Sequence, residues 1–503
     1  MELLMKGVVA SGHPETSEAA AVALRAGGNA FDAVVAAGFA AAIAEPALTS
    51  LGGGGFALTR NADGHAKLFD FFVDTPGRAG PPKPALHFVP VTVEFPSSQQ
   101  VFYVGLGSVA VPGMLKGLLH LHAKLGRMPL KEVLEPVITL ARHGLDIGPG
   151  QAQFFRVLSP IMRLTHASRL LYEPAGRPLQ PGDRFANPDL ADFLDTLPDT
   201  HGREFYEGEI AAQIGAMMRD GGGLLSEADL AAFEVHEREP LALDYRGYEL
   251  LTNPPPSFGG SLIALQLKLL ATRSLAGVAF GGLEHLRLIT GVLQEASRYR
   301  QRGFTGLADL DDNVWDESLQ RLPQVSRGTT HVSVSDAAGN VASLTSSGGE
   351  GSGCLVPGTG IMLNNMLGED DLFPGGFHSL PPGVRVSSMM SPSALVRDGR
   401  VELVLGSGGS KRIRTAIFQV LSNVVDFGMD LGDAVRAPRV HWDDETLQVE
   451  PGYDPDTVET LARDTPVNPW AVQDVYFGGV HSVDPRGVGV GDARRGGHAM
   501  VVE

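Results

Sequence analysis

The sequence predicts a mixed α/β protein, helix-rich ahead of a polar connector and strand-rich after it. Three observations carry this. Residues 113–235 repeat Leu and Ala at helical spacing. From Thr329 onward, short runs alternate apolar and polar residues between turn signals. Glycine (63) and proline (34) are spread in short clusters, which marks many tight turns between short elements rather than disorder.

Taken in order, Val8-Val9-Ala10 reads as a short strand. His13-Pro14 opens a helix to Arg25, with Ala19, Ala20, Ala23 and Leu24 on one side and Gly27-Gly28 as its stop. A second helix starts at Gly28 to Asp32 and ends at Glu45-Pro46. Its Phe31–Ala44 stretch is the most apolar in the chain. It is only about 14 residues long and is interrupted by Asp32, too short to span a bilayer. Leu51 to Leu58 is a glycine turn into a strand. The glycines there do not have the G-x-G-x-x-G spacing that opens a phosphate-binding helix. Helices follow at Met114–Leu125, Leu130–Ala141, Asp189–Leu197 and Ile210–Met218. Asp244–Leu251 reads as one strand, and a third helical zone spans Ser261–Arg302.

The connector Thr305–Gly328 is polar and acidic. Counted as a calcium loop from Asp309, it would need Gly and Glu where Val314 and Gln320 stand, so it reads as a solvated connector. Beyond it, Thr329–Asp336 and Asn340–Ser347 form a hairpin whose apolar residues are Val332, Val334, Val341 and Leu344. Strands at Gly360–Leu363, Ser393–Val396 and Val401–Leu405 precede a helix from Arg412 to Phe427.

Composition excludes several functions. The net charge of −18 repels nucleic acid and anionic lipid, and no basic run is longer than two residues, as at Arg494-Arg495. A single cysteine, Cys354, rules out an internal disulfide and a multi-cysteine zinc site. No metal or cofactor is expected. Met1–Lys6 lacks a charged segment followed by an apolar one, so a cytoplasmic location is expected.

Gly328-Thr329-Thr330-His331 is where the chemistry concentrates. Cutting the Gly328–Thr329 bond would give Thr329 a free α-amine beside its own hydroxyl. That amine, with a pKa near ~8, can serve as the base without a separate histidine. Thr pairs also open strands simply because β-branched residues suit them. A G-x-S-x-G elbow is absent at Ser347, Ser352 and Ser407, and the 15 histidines contain no H-x-x-x-H pair. His331 reads as an ordinary, partly buried histidine. Gly406 to Ser410, before Lys411-Arg412-Ile413, reads either as a strand-to-helix turn or as N–H groups that hold an oxyanion.

These segments together resemble the γ-glutamyltransferase (γ-glutamyl transpeptidase) family, and the resemblance spans nearly the whole chain. It is carried by His13-Pro14, Ala26 to Ala33, Glu45-Pro46 and Gly52 to Phe56. It continues through Asp244 to Tyr248, Pro254 to Gly260, Thr329 to Asp336, Gly358 to Asn365, Ser388 to Pro392 and Gly406 to Ile413. The resemblance implies an N-terminal-nucleophile hydrolase with a four-layer αββα sandwich. It implies self-cleavage between Gly328 and Thr329 into a large subunit, 1–328, and a small one, 329–503. The two would stay interlocked, with doubling of the pair left open. Carried over, Thr329 is the nucleophile, Ser347 orients it, Gly408 and Gly409 supply oxyanion N–H groups, and Ser388 contacts the donor.

Departures from the family pattern fall on the donor pocket. Phe72 stands where an Arg is expected to pair with the donor α-carboxylate, which removes a bidentate partner. Gly348-Gly349 replaces Leu-Asn. Glu369-Asp370-Asp371 is an altered acidic segment, Met389 replaces a serine, and Leu372–Val386 leaves little room for a lid loop. Arg385 is the candidate replacement cation. The expectation is therefore a self-processing Thr amidohydrolase, hydrolytic rather than transpeptidating. It would act on a γ-glutamyl (glutathione-like) or related small acyl amide. The alternatives are a cephalosporin- or glutaryl-acylase-like amidase and an unprocessed, non-catalytic scaffold.

Overall fold

The computed structural model describes residues 5–81, 85–95, 98–302, 328–369, 372–373 and 375–503. Asp370, Asp371 and nearly all of the acidic connector lie outside the described residues.

Two antiparallel sheets face each other. The first has the order His498–Val502, Gly7–Ser11, Thr330–Asp336, Val341–Ser347, Gly54–Arg60, Ala66–Phe71, His236–Arg238. The second runs Val488–Val490, Gly479–Asp484, Arg400–Gly408, Ser393–Arg397, Tyr248–Thr252, Leu241–Tyr245. Helices Pro14–Arg25, Ala30–Ala44, Met114–Leu125 and Leu130–His143 cover the outer side of the first sheet. Helices Phe258–Ala271 and Arg412–Val425 cover the second, with Leu283–Gln301 packed on Phe258–Ala271. The result is the expected αββα order.

Strand period two decides which side each residue serves. On Thr330–Asp336, Val332 and Val334 pack with the helices in the larger apolar cluster. His331 and Ser333 point the other way, toward the second sheet, where Ser333 Oγ donates to His481 O at 3.1 Å. Helix Ala30–Ala44 is buried on every side. Asn29 caps it, accepting from Phe31 N and Asp32 N, while Asp32 accepts from Asn29 N at 3.0 Å. Asp32, the polar break in that apolar run, is thus a capping residue. Among the described residues no helix is long and apolar enough to cross a membrane.

Two readings of the sequence need correction. Asp244–Leu251 is not one strand but a hairpin. Arg246 (φ 52°) and Gly247 (φ 81°) form a two-residue turn with both φ positive, between Tyr245 and its partner Tyr248. Gly406 and Ser407 are not a turn either. The strand continues through them to Gly408, because Gly479–Asp484 pairs with it all the way. The half before the connector, helix-rich as expected, supplies strands to both sheets.

Gly117 shows how tightly the first layer packs. A Cβ there would lie 2.0 Å from the Phe71 ring, and Phe71 is fully buried. Alanine gains roughly 1 kcal/mol of helix propensity over glycine, but overpacking a core costs about 1–3 kcal/mol. Gly117→Ala is therefore expected to lower stability despite its better propensity. Urea unfolding of the two proteins checks the sign.

Candidate active site

The hairpin register builds the site. Thr330 pairs with Ser346, which sets Thr329 beside Ser347 at the open end of the two central strands. Both hydroxyls converge on one atom. Thr329 Oγ1 donates to Gly328 O at 2.7 Å, and Ser347 Oγ donates to the same oxygen. Gly349 N donates to Ser347 Oγ at 3.0 Å, which fixes that side chain. All these groups are buried.

The opposite face of the strand is tied down by Glu45, at the end of helix Ala30–Ala44. Thr330 Oγ1 donates to Glu45 Oε2 at 2.6 Å, and Thr16 Oγ1 to Oε1 at 3.1 Å. Burial raises the Glu45 carboxyl to about 7. The hydrogen bonds from Thr330 and Thr16, and the positive charge of Arg495, hold it back from rising further. Arg495 Nη1 donates to Thr329 O at 3.2 Å, holding that residue's carbonyl.

Gly408 meets that same carbonyl: a Cβ there would lie 2.2 Å from Thr329 O. Gly409 follows with φ 125°, a conformation that favours glycine. Gly408 thus lies beside Thr329 O, while Ser347 holds Gly328 O. His331 is fully buried between Thr345 Oγ1 (2.8 Å) and Ser333 Oγ (2.9 Å), and burial keeps its pKa well below the ordinary value.

Ser388 and Met389 are buried on the second sheet's side. Ser388 O accepts from Phe258 N at 2.9 Å and Ser257 Oγ at 2.7 Å, and Ser388 Oγ accepts from Met390 N at 3.1 Å. Phe72 sits one strand beyond Gly54, which pairs with Ser347. A Cβ on Gly54 would be 3.0 Å from Phe72 Cα. Phe72 is buried and stacks on Phe56 at 5.5 Å.

The structure corrects the reading of Arg385 as a replacement cation. Its guanidinium donates to Asp70 Oδ1 (2.7 Å), Asp74 Oδ1 (2.6 Å) and Glu234 O (2.7 Å), and it lies 4.9 Å from the Phe233 ring centre. Two carboxylates of the protein already hold it. Three residues that sequence reasoning gave no role also stand at the site: Glu45, Arg495 and Glu350, whose Oε1 accepts from Gly328 N at 3.3 Å. Glu45 belongs to the Glu45-Pro46 motif, and Glu350 lies three residues beyond Ser347. Nothing local marks either as part of the site. Among the described residues no group of three His, Cys, Asp or Glu could hold a metal.

The paired sheets between helical layers, with a Thr opening a central strand, define the N-terminal-nucleophile hydrolase fold. The chain belongs to the γ-glutamyltranspeptidase family, whose model matches residues 16–324 and 309–502. It is 33% identical over 468 residues to the acylase ACY 1 proenzyme of Pseudomonas sp. strain SE83, covering 88% of this chain and 84% of that one. It is 31% identical over 500 residues to the glutathione hydrolase proenzyme of Escherichia coli K12, covering 91% and 84%. The cephalosporin acylase from Bacillus halodurans superposes with a TM-score of 0.84 at 25% identity, over 99% of this chain and 96% of that one.

Glu45 gives a stability prediction. A carboxyl raised from 4.5 to about 7 on folding binds more protons folded than unfolded between those values. Its contribution is fully present below about pH 4.5 and is lost as pH rises through about 7. The loss is on the order of 3 kcal/mol. In a Thr329→Ala background, Glu45→Gln should remove this part of the pH dependence. Denaturation midpoints at pH 5 and pH 8 measure it.

Proposed function

We propose that the protein is a self-cleaving threonine amidohydrolase that hydrolyses a small acyl amide. One observation carries the reading. The Thr329 hydroxyl lies 2.7 Å from the carbonyl oxygen of the peptide bond that precedes it, and Ser347 holds that same carbonyl. Thr329 Oγ attacks the Gly328 carbonyl carbon, an O–C bond forms and the Gly328–Thr329 C–N bond breaks. The hydroxyl proton ends on the released amine. Water then hydrolyses the ester, leaving a carboxylate on Gly328 and both hydroxyl and amine on Thr329.

In turnover the freed amine takes the hydroxyl proton as Thr329 attacks the donor amide. That proton passes to the leaving amine, and water resolves the acyl-enzyme. Ser347 orients the nucleophile. The N–H groups at Gly408 and Gly409 stabilise the developing oxyanion. Both sheets join strands from before and after the cut, and the first interleaves them, which supports a large segment (1–328) and a small one (329–503) that remain one body.

The donor is the finer part of the proposal. Phe72 is stacked on Phe56, and Arg385 is held by Asp70 and Asp74. Neither offers a cation to a donor α-carboxylate. This favours an acylase-like donor over glutathione, in keeping with the acylase relatives, and hydrolysis over transfer to an amine.

Intact mass and N-terminal sequencing are expected to give two fragments, one starting at Thr329. Thr329→Ala should stay whole and inactive, and a wild-type chain that remains uncut would sink the mechanism. Glutathione should be a poor donor, and Phe72→Arg should improve its kcat/KM by about tenfold or more, since a bidentate charged pair is at stake. Efficient turnover of glutathione by the wild type would refute the donor assignment alone.

A further inference from the structure

Glu350 takes no part in the acyl transfer above, yet it is buried against the bond to be cut. It is 1% exposed, and its Oε1 accepts the Gly328 N–H at 3.3 Å. The loop that carries it is pinned. Glu350 N donates to Asn365 Oδ1 at 2.9 Å, Asn365 N to Gly348 O at 3.3 Å, and Gly351 N to Gly348 O at 3.2 Å. The same loop presses on Gly328, where a Cβ would lie 1.9 Å from Gly349 O. Residue 328 is therefore confined from two sides, by a backbone that admits only glycine and by a carboxylate that takes its N–H.

We infer that Glu350 is a positioning residue for self-cleavage, holding the Gly328 N–H so that the scissile carbonyl carbon stays turned toward Thr329 Oγ1. The inference rests on the proposed cut between Gly328 and Thr329. Glu350 exchanges no proton in that sequence, since the hydroxyl proton of Thr329 goes to its own amine and water supplies the rest. What the role requires is an acceptor, and a glutamine oxygen is one. Rotation of Gly328 about its own backbone bonds would move the carbonyl off line, and displacements of about 1 Å cost up to about 100-fold in rate.

The test follows the full-length chain made by cell-free synthesis, with loss of precursor timed by gel and intact mass. Wild type and Glu350→Gln are expected to cut at rates within about twofold of each other. Glu350→Ala is expected to slow by about 10- to 100-fold. Thermal unfolding of each substitution in a Thr329→Ala background, where nothing is cut, separates a slow chain from an unfolded one. Should Glu350→Ala not fold, Glu350→Leu, which keeps the volume and lacks the acceptor, takes its place. The inference alone falls if the variant without an acceptor cuts as fast as wild type, or if Glu350→Gln cuts as slowly as that variant. A wild-type chain that never cuts overturns the proposed function and this inference together.

Discussion

The central strand Thr330–Asp336 is hydrogen-bonded on both sides, to Gly7–Ser11 and to Val341–Ser347. Everything at the site depends on that ladder. A lone hairpin would hold these residues only loosely. Here the residues after Thr329 belong to two neighbouring strands from opposite directions, and one neighbour comes from the first residues of the chain. The ladder fixes Thr329 relative to Ser347, and Glu45 and Arg495 add side-chain and carbonyl anchors at the strand's first two residues. The Thr329 hydroxyl thereby gains the precision of a sheet interior.

Much of this is legible in the sequence because it is local. The hairpin around Ala337 to Gly339 follows from alternation and a turn, and its register follows from the hairpin. The pattern of residues alone thus brings Thr329 beside Ser347. Helix Met114–Leu125 is legible from periodicity alone. What is not legible is settled by neighbours distant in the chain. Gly406 and Ser407 look like a turn in isolation, and become strand only because Gly479–Asp484 arrives to pair with them. Arg246-Gly247 hides inside an apolar run because the turn is only two residues long. Glu350 and Glu45 carry no local signature. Each matters through hydrogen bonds to residues that the fold brings close.

Arg385 illustrates why charge counting cannot assign a substrate pocket. It is an arginine near the segment where one is missing, but Asp70 and Asp74 surround it and Arg238 shares Asp70 at 2.8 Å. Moving that guanidinium to a substrate would leave two buried carboxylates undercompensated, a costly change. Phe72, by contrast, is satisfied by apolar neighbours and leaves a hydrophobic wall one strand from Ser347. An anionic group directed there would lose water and find no cation in return.

The threonine pair itself follows from the pleat. Successive side chains of a strand point to opposite sides, so Thr329 and Thr330 cannot both face the Gly328 carbonyl. Thr329 turns toward it with Ser347. Thr330 turns toward the helical layer, where its hydroxyl is spent on Glu45 at 2.6 Å. The two residues share a chemistry and differ in face, and the face decides which meets the Gly328 carbonyl and which is the anchor. A one-residue slip of the strand would exchange them and place Val332 and Val334, now packed with the helices, between the sheets. The apolar cluster on the helical side therefore selects which threonine faces Gly328: burying those valines correctly and presenting Thr329 correctly are the same event.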